Sequence, residues 1–132
     1  MVIDTSALVA VLAAEPDWRR LLDVMKAADR LHVSAATVIE TAMVMEGRQG
    51  REQGEILDQL LARLAVVTVP VDASQVLLAR EAFRRFGKGR HSARLNFGDL
   101  FAYALARASG EPLLSKGDDF ARTDIEPALA PG

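Results

Sequence analysis

Four short apolar runs, Met1–Asp4, Leu31–Val33, Val66–Val69 and Pro112–Ser115, are separated by stretches with helical spacing. That alternation constrains the fold more than any other feature. Parallel strands need crossover connections, and the helices that supply them cover the sheet on both faces. The expected class is α/β, with a central, mostly parallel sheet of four or five short strands covered by helices on both faces. Ile125 is the candidate for the fifth strand. The chain of 132 residues reads as one domain over 1–127 with a frayed tail at 128–132.

The intervening helices follow from local signals. Thr5-Ser6 offers an N-cap for the apolar run Ala7–Ala14, and Pro16 stands near the start of an amphipathic helix over Asp17–Ala28. Ser34 caps a helix to about Glu46, where Gly47-Arg48-Gln49-Gly50 breaks the pattern. Glu55–Leu64 carries Ile56, Leu57, Leu60, Leu61 and Leu64 on one stripe. Asp72 opens a helix to about Phe86, Gly87–Asn96 is polar, and Phe97–Ser109 is helical until Gly110. The apolar positions Leu21-Leu22-Met25 and Ile56-Leu57-Leu60 exceed what a small domain easily buries, which predicts a homodimer.

Several classes of function are excluded. No apolar run approaches the roughly 18 residues of a membrane span, and the N-terminus lacks the pattern of a secretory signal. With no cysteine and only His32 and His91, thiolate chemistry is absent and a multi-histidine zinc site is poorly supplied. His32, in an apolar strand, reads as a satisfied core residue. The absence of cysteine suits a cytoplasmic location. A net charge of −2 gives no bulk attraction to nucleic acid, so such binding needs a local basic patch. Arg84, Arg85, Lys88, Arg90 and Arg94 form that patch, in a stretch from Ala82 to Gly98 without a single acid. They are candidate contacts for a phosphate backbone, and a solvated loop is the alternative.

Acids recur at strand exits, where open parallel sheets bind ligands. Asp4 ends the first strand, and either caps the following turn or serves chemistry. Glu40 interrupts an otherwise apolar helix, so it reaches a cleft, pairs with a cation or lines a narrow solvated strip. Asp99 lies in a helical first turn, where the backbone favours an anion without any function. Asp118 and Asp119 follow the fourth strand in a turn at Gly117. Carboxylates gathered together repel unless a cation neutralises them, and oxygen ligands suit Mg²⁺ or Mn²⁺. Such an ion activates water on a phosphodiester.

The segments Val2-Ile3-Asp4-Thr5-Ser6-Ala7-Leu8, Ser34–Glu40, Leu95-Asn96-Phe97-Gly98-Asp99 and Lys116-Gly117-Asp118-Asp119-Phe120 together resemble the PIN-domain ribonucleases, and among them the VapC-type toxins. The resemblance covers nearly the whole chain. It implies a Mg²⁺- or Mn²⁺-dependent endoribonuclease of a type II toxin–antitoxin pair, usually homodimeric and inhibited by a VapB-type antitoxin. By the same resemblance Asp4, Glu40 and Asp99 are catalytic. Asp4 and Asp99 are metal ligands, with Glu40 and Asp119 acting through water. Thr5, Ser6, Asn96 and Asp118 are supporting polar groups. Many relatives carry an acid where Gly117 stands, so Asp119 serves alone or Asp118 substitutes. Asp119 is favoured, because a core-anchored Phe120 would aim the preceding carboxylate at the cleft. Two other readings are an aspartyl-phosphate phosphotransferase built on Asp4, which lacks the expected acid at Ser6, and a non-catalytic PIN-like RNA-binding module.

Overall fold

Val2 and Ile3 divide the core between them. Val2 belongs with Phe86, Ala102, Tyr103 and Leu113 in one apolar cluster, and Ile3 with Leu8, Leu21, Val33, Leu57 and Leu114 in another. Successive strand residues point to opposite faces, so the two clusters lie on opposite sides of a sheet. A computed structural model describes residues 1–129. Along the chain come β1 (Val2–Ile3), α1 (Thr5–Leu12), α2 (Trp18–Ala27), β2 (His32–Ser34), α3 (Ala35–Gln49) and α4 (Gln53–Arg63). There follow β3 (Val67–Val69), α5 (Ala73–Phe86), α6 (Phe97–Ser109) and β4 (Leu113–Leu114).

The sheet has the order β3-β2-β1-β4, and every pairing is parallel. Val2 pairs with Leu113 and Ile3 with Leu114, so each face of β1 continues into the same face of β4. Helices α1, α2 and α4 supply one cluster, through Leu8, Leu21, Met25 and Leu57; α5 and α6 supply the other. This is the expected helix–sheet–helix layering. The order runs outward from β1 to β2 and β3, then returns to place β4 on the other side of β1. Such a reversal opens a crevice beyond the carboxyl ends of the two strands. Asp4 and Ser115–Asp119 follow those ends directly.

Four local expectations change. The cap of α1 is Asp4, whose side chain accepts from the Ser6 N–H, so Thr5 and Ser6 already lie within the helix. Helix α3 continues through Gly47 to Gln49 and stops at Gly50, whose φ of 107° a side chain rarely adopts. Ile125 is buried but forms no fifth strand among the described residues. The segment after it is joined to the sheet by one isolated bridge from Pro127 to Leu113. Leu113 donates to Glu126 and accepts from Ala128, each at 2.9 Å, which is pairing by one residue rather than a ladder. Ala128 and Leu129 pack against the core, and residues 130–132 of the expected tail lie outside the described residues.

Finally, Leu21, Met25 and Leu57 are not surplus apolar surface, because α2 and α4 bury them within the chain's own core. The exposed apolar side chains lie mainly elsewhere, at Ile39 and Met43 on α3, Val76, Leu77 and Phe83 on α5, and Phe97 at the start of α6. No described helix is long and apolar enough to cross a membrane.

Candidate active site

Asp4 leaves β1 at the crevice and is 3% exposed. Its Oδ2 accepts from the Ser6 N–H at 3.1 Å and from the Ser6 hydroxyl at 2.7 Å. The same hydroxyl accepts from the Lys116 N–H at 2.9 Å, so one serine oxygen joins the exit of β1 to the turn after β4. Burial pushes the Asp4 carboxyl up to about 6, against the two Ser6 hydrogen bonds and with the Glu40 charge adding to the rise.

Asp99 stands at the third position of α6 and is 7% exposed. Its Oδ2 accepts from the Asn96 N–H at 2.9 Å, while the Asn96 side chain accepts from the Asp99 N–H at 3.1 Å. This reciprocal capping box explains both residue types locally. It engages only one of the two Asp99 carboxylate oxygens. Burial raises the Asp99 carboxyl to about 7, opposed by the Asn96 hydrogen bond and reinforced by charge on Asp4, Asp119 and Glu40.

Glu40 approaches from α3, the helix that follows β2. The Thr5 hydroxyl donates to its Oε1, and its other oxygen lies against Gly98, at the start of α6. A helix apolar over most of its surface thus carries its one mid-helix acid into the crevice. Asp118 and Asp119 are both exposed in the turn after β4, and Phe120 beside them is buried in the core. Asp119 contributes to the raised Asp99 carboxyl. Four acids distant in sequence therefore share one electrostatic neighbourhood: Asp4, Glu40, Asp99 and Asp119.

None of these four forms an ion pair with lysine or arginine among the described residues. Nor do any three acidic or imidazole groups there stand as a ready-made cage for an ion. The donor set nevertheless fits a hard divalent cation. All its atoms are oxygens, two carboxyls are raised by burial beside uncompensated charge, and Mg²⁺ keeps several waters while using only one or two carboxylates.

The basic segment divides. Arg84, Lys88 and Arg90 line a groove of about 800 Å³ with Val76, Phe83, Asn96, Phe97 and Phe101. Asn96 places that groove next to Asp99. Arg90 stacks over Phe83 at 4.9 Å. Arg85 turns away, reaching Asp124 at 3.3 Å and stacking on Phe86 at 4.7 Å. Arg94 is exposed, in a left-handed conformation with φ 54°, and does not line the groove. His32 is half-buried at β2, with Nδ1 2.8 Å from Glu111, and lies outside the acid cluster.

Two contributors escape sequence reading. The bridge from Ser6 to the Lys116 backbone joins the two ends of the chain, and the fit of Glu40 against Gly98 joins two helices. A glycine in a helical first turn is the one sequence signal for the second.

The chain matches the PIN domain family over residues 1–126. It is 51% identical to Ribonuclease VapC30 of Mycobacterium tuberculosis across 99% of this chain and all of that protein. It is 54% identical to Ribonuclease VapC of Mycolicibacterium smegmatis, across 95% of this chain and 97% of the other. Among solved structures it is similar to VapC20 of Mycobacterium tuberculosis, described as a Sarcin-Ricin loop cleaving toxin, with a TM-score of 0.78 at 19% identity. That match covers 94% of this chain and 95% of the other, and at such identity it speaks for the fold alone. The three-layer fold, the crevice at β1 and β4, and relatives half identical along almost their whole length place this chain in the PIN-domain family, among the VapC ribonucleases.

Proposed function

We propose that this chain is a metal-dependent endoribonuclease, the toxin of a type II toxin–antitoxin pair acting in the cytoplasm. The observation that carries the reading is the convergence of Asp4, Glu40, Asp99 and Asp119 on one crevice, in a chain half identical to named ribonucleases. Asp4 and Asp99 are the residues that would hold Mg²⁺ or Mn²⁺, with Glu40 and Asp119 acting through water. Bound there, the ion supplies a water of lowered pKa and a counter-charge for the phosphodiester oxygens.

The remaining work belongs to the chain. Ser6 fixes Asp4 Oδ2, and Asn96 fixes Asp99 Oδ2, so both carboxylates are oriented before substrate arrives. Thr5 occupies Glu40 Oε1, which leaves Oε2 as the acceptor for a proton from the attacking water. Asp118 is the supporting polar group of the same turn. Arg84, Lys88 and Arg90 hold the RNA backbone along the groove beside Asn96, with Arg94 as an outer contact. Arg85 serves instead to hold the C-terminal segment through Asp124.

Two partners complete the reading. One is a VapB-type antitoxin; a solved neighbour with a TM-score of 0.74 is VapBC2 from Rickettsia felis bound to a DNA fragment from their promoter. The other is a second copy of the chain. The exposed Ile39, Met43, Leu77 and Phe97 suit its interface, in place of the buried positions on α2 and α4.

The deciding experiment is cleavage of a single-stranded RNA by purified protein in EDTA, Mg²⁺ or Mn²⁺. Cleavage restored by either ion and absent in EDTA is expected. Undiminished cleavage in EDTA would sink the metal mechanism, and no cleavage under any condition would sink the nuclease.

A further inference from the structure

Gly98 has a helical backbone; the glycines in the left-handed region are Gly50, Gly89, Gly110 and Gly117. Nothing in its φ therefore demands glycine, and alanine is the better helix former. What glycine supplies is space. A Cβ at this position would lie 2.0 Å from Glu40 Oε2 and 2.6 Å from both Cδ and Oε1. Those separations overlap the whole carboxylate, and because it ends a flexible side chain, Glu40 rather than the backbone is what must give way. The carboxylate is also held from the other side, because Thr5 donates to Oε1. Glu40 is thus clasped between the first residue of α1 and the first turn of α6. Asp4 immediately precedes the one, and Asp99 lies in the other.

We propose that Gly98 is a positioning residue: its missing side chain seats the Glu40 carboxylate within the acid cluster and so sets the cluster's capacity for a divalent ion. This rests on the metal-dependent reading above. The residue touches neither substrate nor ion; it acts through Glu40. Any side chain at 98 forces Glu40 to swing outward along α3, away from Asp4 and Asp99. Because Gly98 lies between Phe97 and Asp99 in the capping turn, the helix itself has no other need of it.

The test compares wild type, Gly98→Ala, Glu40→Ala and the double variant for Mn²⁺ affinity by calorimetry and for RNA cleavage. Gly98→Ala is expected to weaken Mn²⁺ binding by about tenfold or more, the range seen when groups that orient ligands are removed. In the Glu40→Ala background the same change is expected to cost nothing further, since the two residues act as one unit. Melting temperature without metal should be unchanged or higher in Gly98→Ala. Equal Mn²⁺ affinity in wild type and Gly98→Ala overturns the inference, as does an equal loss in both backgrounds. If Gly98→Ala does not fold, the double variant must fold, because removing the Glu40 side chain removes the clash; a double variant that stays unfolded also overturns it. Failure of the wild type itself to bind Mn²⁺ falls on the metal-dependent reading instead, so the two failures are distinguishable.

Discussion

The Ser6 hydroxyl donates to Asp4 Oδ2 at 2.7 Å while accepting from the Lys116 N–H at 2.9 Å. A single oxygen therefore orients the acid at the exit of β1 and anchors the turn that carries Asp119. Replacing Ser6 by alanine removes both links. Because the Ser6 bonds lower the Asp4 carboxyl, its pKa in the variant should rise above the wild-type value of about 6. A carboxyl-selective NMR titration of the metal-free protein reads this directly. Cleavage should fall by about one to two orders of magnitude, the usual effect of removing a group that orients a ligand. An unmoved Asp4 titration would deny Ser6 this role.

The acid cluster makes stability depend on pH in an unusual direction. Asp4 and Asp99 titrate at about 6 and about 7 when folded, against an ordinary 3.8. Between roughly 4 and 7 the folded chain holds more protons than the unfolded chain, so these two groups lower stability as pH rises through that window. At about 1.4 kcal/mol per unit, the loss over the whole window is on the order of 7 kcal/mol. Below it the lowered carboxyls of Asp72, Glu111 and Asp124 act in the opposite sense. The melting temperature in EDTA should therefore be higher near pH 5 than near pH 7.5, with Mg²⁺ or Mn²⁺ removing most of the difference. Asp4→Asn and Asp99→Asn should each flatten the EDTA curve and raise its pH 7.5 end, since the amide oxygen keeps the backbone hydrogen bond each side chain accepts while the titrating charge is gone. Both should lose several orders of magnitude in cleavage rate.

For the fourth acid, Asp119→Ala should abolish most activity and Asp118→Ala little of it. Asp119 contributes to the raised Asp99 carboxyl, and Phe120 next to it is buried in the core. Rates measured on the two variants at saturating Mg²⁺ separate them. The reverse ranking would assign the role to Asp118.

Neutralising Arg84, Lys88 and Arg90 together should weaken RNA binding and reduce the slope of affinity against salt by about two to three, near one for each phosphate no longer neutralised. Arg85→Ala should leave that slope unchanged and instead loosen the segment at Asp124, which Tyr103 also holds at 2.7 Å. Binding isotherms at several salt concentrations, with hydrogen exchange at residues 120–127, distinguish these outcomes.

The parallel sheet and the acids at its edge are legible in the sequence because their signals are local: a strand exit at Asp4, a lone acid on an apolar helix at Glu40, a first-turn acid at Asp99. The destination of an apolar stripe is not. Periodicity shows that Leu21, Met25 and Leu57 face something, but not that the something is the same chain's sheet. Arg85 and Arg84 are neighbours in one basic run, yet only the folded chain brings Asp124 to the first and the groove to the second. Ile125 has strand-like neighbours, but its segment meets β4 at a single bridge, a tertiary fact without a sequence pattern. Gly98 reads as an ordinary glycine until Glu40 is placed against it.

Among the described elements β1 comes first along the chain and β4 last, yet they lie side by side at the middle of the crevice. Pairings so distant in sequence form late in folding. Asp4 and Asp119 therefore share a crevice only once β4 has docked against β1, so the acid cluster is completed by the same long-range pairing that completes the sheet.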